Sequence, residues 1–203
     1  ACGWKGGSGT SSRVLPKSLG GYTVGVLVQT NFGGDLNVNG APVGRELGQY
    51  SYQTQLEEAR QGVVPMDGGS MMMVVATDAP ILSRNLDRLA KRGMMGLART
   101  GSVAHNSSGD YVIAFSTSPD VRRDRGAREP VPAKTLSNTA MSPLFQAVVE
   151  AIQESVYNAM LKAETVKSSR GTLEAIDVDK VKEIVEKYNV TNFDEKLSPG
   201  KVN

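Results

Sequence analysis

Side chains that carry metal, redox and disulfide chemistry are scarce in this sequence. The 203 residues include one cysteine, Cys2, and one histidine, His105. A single cysteine excludes a disulfide within the chain and a cysteine-ligated metal site. One histidine without a cysteine pair gives no ligand cluster either, so we expect neither a metal nor an organic cofactor.

Long apolar runs and a strong charge are also absent. No stretch approaches the roughly 20 apolar residues of a membrane-spanning helix, and the first residues lack the charged and apolar segments of a signal peptide. The formal net charge of +2 gives no reason to expect a nucleic-acid or membrane partner. We expect a globular protein of the cytoplasm and leave the periplasm open.

A glycine-rich segment, Gly6-Gly7-Ser8-Gly9-Thr10, lies near the start of the chain. It does not fit a phosphate-binding loop, which needs a lysine directly after its last glycine, because Lys5 precedes the glycines. The dinucleotide fingerprint fails too, since no strand pattern precedes the segment and no helix pattern follows it. We interpret it as a glycine turn that leads into a short strand, with a second strand over 22–29 that Thr30 and Asn31 end.

The sequence is organised around residues 65–78, where Gly68, Gly69 and Ser70 lead directly into the apolar run 71–76. A run without alternation predicts a strand buried on both faces. Glycine allows another atom to approach the Gly69 carbonyl, so Ser70 can attack its own preceding peptide bond. Cleavage there would give Ser70 a free amine with a reference pKa of roughly 7.7 to 8.0, a general base for its own hydroxyl. From these residue types alone, an ordinary glycine turn before a strand is the commoner structure.

The remaining pattern predicts helices that pack on a sheet. Asp78-Ala79-Pro80 is typical of a helix start before an amphipathic stretch, and Asn39-Gly40 is typical of a two-residue hairpin. The polar residues 46–67 predict a flexible surface segment. Three further elements are expected: a strand over 110–117, a helix from 138 and a shorter helix capped by Asp177.

Four other side chains are candidates for a site. Ser108 and Asp110 place a hydroxyl and a carboxylate one residue apart at the start of a strand, where they can orient a nucleophile and its amine or simply form a turn. Asn31 comes directly after the second strand, a common position for a site residue and for a turn residue. His105 is the one base available for a conventional Ser-His-Asp triad, a competing hypothesis, although its neighbours predict an ordinary loop.

Taken together and in order, these stretches resemble a known family. It comprises L-aminopeptidase/D-amidase/D-esterase and the β-aminopeptidases, which are self-processing N-terminal serine peptidases. The matches extend from the first residues to about Glu164. They are Lys5–Arg13, Val24–Gly33, Gly69-Ser70, Val74–Pro80, Arg84–Leu86, Gly96–Ser102, Ser108–Asp110 and Leu144–Glu150.

The resemblance implies an α/β fold, a four-layer α/β/β/α sandwich that is similar to N-terminal-nucleophile hydrolases but differently connected. It also implies a precursor cut between Gly69 and Ser70, with 1–69 ending the upstream α segment and 70–203 forming the downstream β segment of one structural domain. Family precursors carry a long segment before the position where this chain begins. We therefore expect this chain to be part of the fold, with that missing upstream segment as a partner and a homo-oligomer of αβ units as the assembly.

The resemblance implies roles for the candidate residues as well. Ser70 is the nucleophile, Asn31 donates to the oxyanion, and Ser108 and Asp110 support the nucleophile and its amine. The substrate is a small peptide, amide or ester with a free N-terminal amine. Two alternatives stay open: an incomplete or inactive scaffold fragment that needs a partner chain, and an acetyl-transferring relative of the same architecture. The nucleophile of that relative is threonine, so Ser70 counts against it.

Overall fold

The computed structural model describes residues 1–53, 69–126, 128–130, 132–169 and 171–191. Its strands are β1 Ser8–Val14, β2 Thr23–Asn31, β3 Ser70–Thr77, β4 Tyr111–Ser116, β5 Val166–Ser168 and β6 Gly171–Leu173. Its α-helices are α1 Val43–Glu46, α2 Ser83–Arg99, α3 Ser142–Leu161 and α4 Val178–Lys187. Short 3₁₀ helices lie at Lys17–Leu19, Pro119–Val121 and Asn138–Met141.

Four strands form one sheet in the order β1-β2-β3-β4. The first two pairings are antiparallel, and β3 and β4 are parallel, joined by the crossover helix α2. A parallel pair requires such a crossover, and the connection brings the starts of β3 and β4 to the same edge. The antiparallel β2 ends at that edge, with Asn31 in register with Ser70.

The helices α2 and α3 pack on one face of this sheet. Their buried side chains, which include Leu89, Leu97, Leu144, Val148 and Ile152, meet the inward side chains of β2 and β3 in one apolar core. The approach is close where β1 crosses α3, because a Cβ on Gly9 would lie 2.0 Å from the Ser155 carbonyl oxygen. Glycine there lets the strand lie directly against the helix backbone.

The prediction that β3 is buried on both faces is wrong for the described chain. Met71, Met73 and Val75 are fully buried, whereas Met72 is 39% exposed and Val74 is half-buried. Successive side chains of a strand point to opposite faces, and the described helices cover only one of them. We call the uncovered face, which carries the outward side chains of β1 to β4, the open face.

Three local predictions also need correction. Helix α2 begins at Ser83, not at Pro80, because the segment before it is fixed elsewhere: Asp78 accepts a hydrogen bond from the Thr23 amide at 2.8 Å, and Ile81 is buried. Asn39-Gly40 forms a turn, but the flanks make only one isolated bridge, between Val38 and Ala41. Asn31 is the last residue of β2 and does not follow it.

The prediction of a flexible segment over 46–67 is wrong at Glu46. Residues 54–67 lie outside the described residues. Glu46 ends α1 and accepts hydrogen bonds from Lys187 and from the Tyr188 hydroxyl. The sequence reading also missed the exposed hairpin of β5 and β6. The predicted strands at 110–117 and at the glycine-rich turn are confirmed, as is the cap at Asp177, whose side chain accepts from the Asp179 and Lys180 amides. Across the described residues, no helix is both long and apolar enough to cross a membrane.

Candidate active site

Asn31 and Ser70 stand side by side at one edge of the sheet. They are register partners on the antiparallel strands β2 and β3, and both are exposed. Because Met71 points into the core, its neighbour Ser70 points to the open face. The Asn31 carboxamide makes no hydrogen bond to any described residue, so its N–H donors are available to a bound group.

The Ser70 hydroxyl lies against the peptide bond that precedes it. Its Oγ donates to the Gly69 carbonyl oxygen at 2.5 Å and accepts from the Gly109 amide at 3.3 Å. The same Gly109 amide lies 3.4 Å from the Gly69 oxygen. The Ser70 hydroxyl, the carbonyl of the preceding residue Gly69 and the Gly109 N–H donor therefore lie within hydrogen-bond distance of one another.

Neighbouring atoms lie close to both glycines at this point. A Cβ on Gly69 would lie 2.8 Å from the Asn31 carbonyl oxygen and 3.0 Å from the Phe32 Cα, both backbone atoms that cannot easily move. A Cβ on Gly109 would lie 3.2 Å from the Ser70 Oγ. A side chain at position 69 would force the backbone of Asn31 or Phe32 to shift, whereas one at position 109 would displace the Ser70 hydroxyl by a few tenths of an ångström.

Ser108 and Asp110 form a hydrogen-bonded pair next to Ser70. The Ser108 Oγ donates to Asp110 Oδ2 at 2.8 Å, and the intervening Gly109 binds the nucleophile candidate. The other carboxylate oxygen, Oδ1, is buried and has no hydrogen-bond partner among the described residues. Burial of a carboxylate oxygen without a hydrogen-bond donor costs free energy. Oδ1 can therefore accept a hydrogen bond from a group that binds beside it.

Two other reactive side chains do not join this site. His105 lies in a loop against Gly33 and the edge of the Tyr52 ring, whose centroid is 6.0 Å away, and its Nε2 has no partner among the described residues. In the described chain the partners of Ser70 Oγ are backbone groups, so a Ser-His-Asp triad is not assembled. Cys2 is buried, and this burial raises the pKa of its thiol to about 12, which leaves little thiolate at neutral pH.

A cavity of about 460 Å³ opens beside the Ser70 hydroxyl. Its lining includes Asn31, Gln29, Met72 and Lys5. From the sequence, Lys5 served to reject a phosphate-binding loop and as part of the match Lys5–Arg13. Its position beside the end of β2, to which the glycine-rich turn returns it, was not predicted. A larger cavity of about 950 Å³ lies elsewhere and contains none of the predicted site residues. Within the described ranges, no cluster of three or more His, Cys, Asp and Glu side chains is arranged to hold a metal ion.

Known proteins resemble this chain in sequence and in structure. The family model described as Peptidase family S58 matches residues 1–173. The beta-peptidyl aminopeptidase BapA of Sphingosinicella microcystinivorans is 40% identical over 194 residues, which cover 92% of this chain and 48% of the relative.

Two solved structures share the fold. One is the L-aminopeptidase D-Ala-esterase/amidase from Ochrobactrum anthropi, described as a prototype for the serine aminopeptidases and a new variant of the Ntn hydrolase fold. Its TM-score is 0.78 at 33% identity, over 93% of this chain and 50% of that one. The other is a β-aminopeptidase from a Burkholderia species, with a TM-score of 0.77 at 35% identity, over 92% of this chain and 50% of that one.

These likenesses confirm the resemblance and the α/β fold of the Ntn-hydrolase type. The chain spans about half the length of the relatives it matches. Its described residues supply one four-stranded sheet with helices on one face, which corresponds to two of the four expected layers, and the separate hairpin of β5 and β6. The family match extends over both sides of the predicted cleavage point, from the glycine-rich turn to β6. This chain belongs to Peptidase family S58.

Proposed function

We propose that this chain carries the nucleophile of a self-processing serine aminopeptidase or amidase, and that the nucleophile is Ser70. One observation carries the proposal: the Ser70 Oγ lies 2.5 Å from the oxygen of its own preceding carbonyl, beside the Gly109 N–H. The family match and the peptidase activities named for the relatives support the same reading.

The first reaction is cleavage of the chain. Ser70 Oγ attacks the Gly69 carbonyl carbon, the Gly69–Ser70 C–N bond breaks, and the hydroxyl proton passes to the departing Ser70 nitrogen. The Gly109 amide, 3.4 Å from the Gly69 oxygen, is positioned to donate to the negative charge that develops there. Water then hydrolyses the ester, which leaves a carboxylate on Gly69 and a free amine on Ser70.

The second reaction is hydrolysis of substrate. The Ser70 amine takes the Oγ proton while Oγ attacks the carbonyl of the substrate's first residue, and the proton then passes to the leaving amine. The unpaired Asn31 carboxamide donates to the oxyanion. Water hydrolyses the acyl-enzyme with the same amine as base. The substrate is a small peptide, amide or ester with a free N-terminal amine.

Asp110 and Ser108 hold the new amine in place. In the uncut chain Asp110 Oδ1 is buried and receives no hydrogen bond from the residues that the structure describes, and Oδ2 accepts from the Ser108 hydroxyl. The freed Ser70 amine brings N–H donors to the same edge of the sheet. We infer that cleavage supplies the missing partner of Oδ1 and orients the amine toward Oγ.

The open face is the proposed contact for the upstream segment of the precursor. Leu27, Met72, Ile113 and Phe115 stand on it with exposures of 47%, 39%, 55% and 44%. Sheets stack face to face about 10 Å apart, so a second sheet supplied by that segment would bury these side chains. The boundary between 1–69 and 70–203, and assembly of the αβ units into a homo-oligomer, stay predictions that native mass spectrometry tests.

Mutation of Ser70 in the complete precursor tests the proposal. We expect wild-type protein to give two species under denaturing conditions, the second starting Ser-Met-Met-Met, and Ser70→Ala to give one uncut, inactive chain. Ser137→Ala, an exposed serine away from the cavity, is the matched control and should be cut normally. A normally cut Ser70→Ala protein would refute the assignment, and an uncut, inactive wild type would favour the scaffold alternative.

A further inference from the structure

We propose that Lys5 binds the carboxylate of the leaving amino acid, so that short peptides with a free C-terminal carboxyl group are better substrates than the matching amides. The inference rests on the proposed function, because Ser70 and Asn31 place the scissile carbonyl. It adds a specificity residue that contacts only the leaving side of the substrate.

The position of Lys5 follows from the pairing of the glycine-rich turn with β2. The Thr30 amide donates to the Gly7 carbonyl at 2.9 Å, and a Cβ on Gly6 would lie 2.7 Å from the Thr30 oxygen. The lysine is therefore fixed beside the end of β2, on the side of Asn31 that is away from Ser70. Lys5 lines the same cavity as Ser70. Because β2 lies between them, β1 and β3 are two strand spacings apart, a total of about 10 Å. A lysine side chain on one side and one amino-acid residue, which spans about 3.5 Å, on the other fit that width.

On the β4 side, Gly109 and Tyr111 lie close to Ser70. A Cβ on Gly109 would lie 3.3 Å from the Tyr111 ring and 3.2 Å from Ser70 Oγ, so these groups leave little room beside Gly109. The cavity instead extends from Ser70 across Gln29 toward Lys5. A leaving group that follows this path ends at the ammonium.

The charge of Lys5 has no acidic partner in the described chain. Its ammonium donates to the Gly6 carbonyl, and it makes no ion pair with a described carboxylate. By contrast, Arg13 is paired with Glu150 and Glu154. An ammonium has three donors, so two remain for a bound anion, and the other side chains that line the cavity are uncharged. A half-buried cation in a cavity whose described lining side chains carry no negative charge is complementary to a carboxylate.

The experiment compares two substrates that form the same acyl-enzyme. The dipeptide Ala-Ala and its C-terminal amide differ only at the leaving residue, so a ratio of their kcat/KM values isolates recognition of the carboxylate before acylation. We expect the processed wild type to favour the free dipeptide by about 10- to 100-fold, the range for a hydrogen bond to a charged group. Lys5→Met should remove this preference while leaving the amide within about twofold, and Lys5→Arg should keep most of it. Lys91→Met, an exposed lysine on α2, is the matched control.

Each outcome decides the proposal. Equal kcat/KM values for the two wild-type substrates overturn it while leaving the proposed function intact, and so does a Lys5→Met variant that loses both activities equally. Failure to cleave either substrate, with the Gly69–Ser70 bond intact, overturns the proposed function instead. If Lys5→Met does not fold or process, the wild-type ratio and the Lys5→Arg variant still give the answer, because neither removes the cation.

Discussion

The two faces of the sheet differ although the same strands form both. On the inner face Met71, Met73 and Val75 are fully buried against α2 and α3. On the open face, one residue away in each case, Ser70 is exposed beside a cavity and Met72 is 39% exposed. Because successive side chains of a β-strand point to opposite faces, the side chains that stabilise this chain lie on the inner face. The reactive Ser70, and the side chains that a further layer would cover, lie on the open face.

The strongest test of the difference between the two faces replaces each of two adjacent methionines with alanine. Met71→Ala should lower the free energy of unfolding of this chain by about 2–5 kcal/mol, because it opens a cavity in a packed core. Met72→Ala should cost less than about 1 kcal/mol, since the side chain already contacts solvent. Urea unfolding of the two variants measures both values.

The same pair tests whether a further layer covers the open face. In the complete precursor, the cost of Met72→Ala should rise toward that of Met71→Ala, because a second sheet would bury it. An unchanged cost for Met72→Ala would contradict the proposed contact of the upstream segment. Equal costs in this chain alone would contradict the difference between the faces.

On the open face the largest effect after Ser70 is expected at Asn31. Asn31→Ala should raise the reaction barrier by roughly 2.7–4 kcal/mol, about 10²- to 10³-fold in kcat, because one oxyanion donor is lost. Stability should change little, since the exposed carboxamide has no partner among the described residues. Steady-state kinetics and thermal unfolding separate the two effects. Asn138→Ala removes an exposed carboxamide outside the cavity and should leave kcat unchanged.

The sequence was sufficient where a local pattern decides the structure. The helix α3, the Asp177 cap and the strand that follows Ser70 depend on nearby residues, and each was predicted. The burial of β3 was not, because a continuous apolar run does not say which layers are present to cover it. Lys5 was missed for a related reason: its place in the cavity depends on pairing with β2, some 25 residues later.

Removal of the N-cap of α4 should have a smaller effect, on the free energy of unfolding and not on catalysis. Asp177 accepts hydrogen bonds from the Asp179 and Lys180 amides, both at 3.1 Å. Asp177→Ala should therefore cost about 0.5–2 kcal/mol of unfolding free energy. Asp179→Ala, in the same first turn, should cost less, since this side chain makes an exposed pair with Lys182. Neither change should alter kcat, and an altered kcat would connect this helix to the open face.

Among the candidate site residues the smallest catalytic effect is expected at His105. Its size distinguishes activation of Ser70 by its own amine from activation by a histidine. The Ser70 hydroxyl bonds backbone groups, and the His105 Nε2 has no partner in the described chain. His105→Ala should therefore keep kcat/KM within about tenfold, whereas loss of a triad histidine costs on the order of 10⁶-fold in kcat. Some loss of stability is expected, because the ring fills space beside Gly33 and Tyr52. A processed, folded His105→Ala protein that lost activity by several orders of magnitude would make this imidazole the base and remove the freed Ser70 amine from that role.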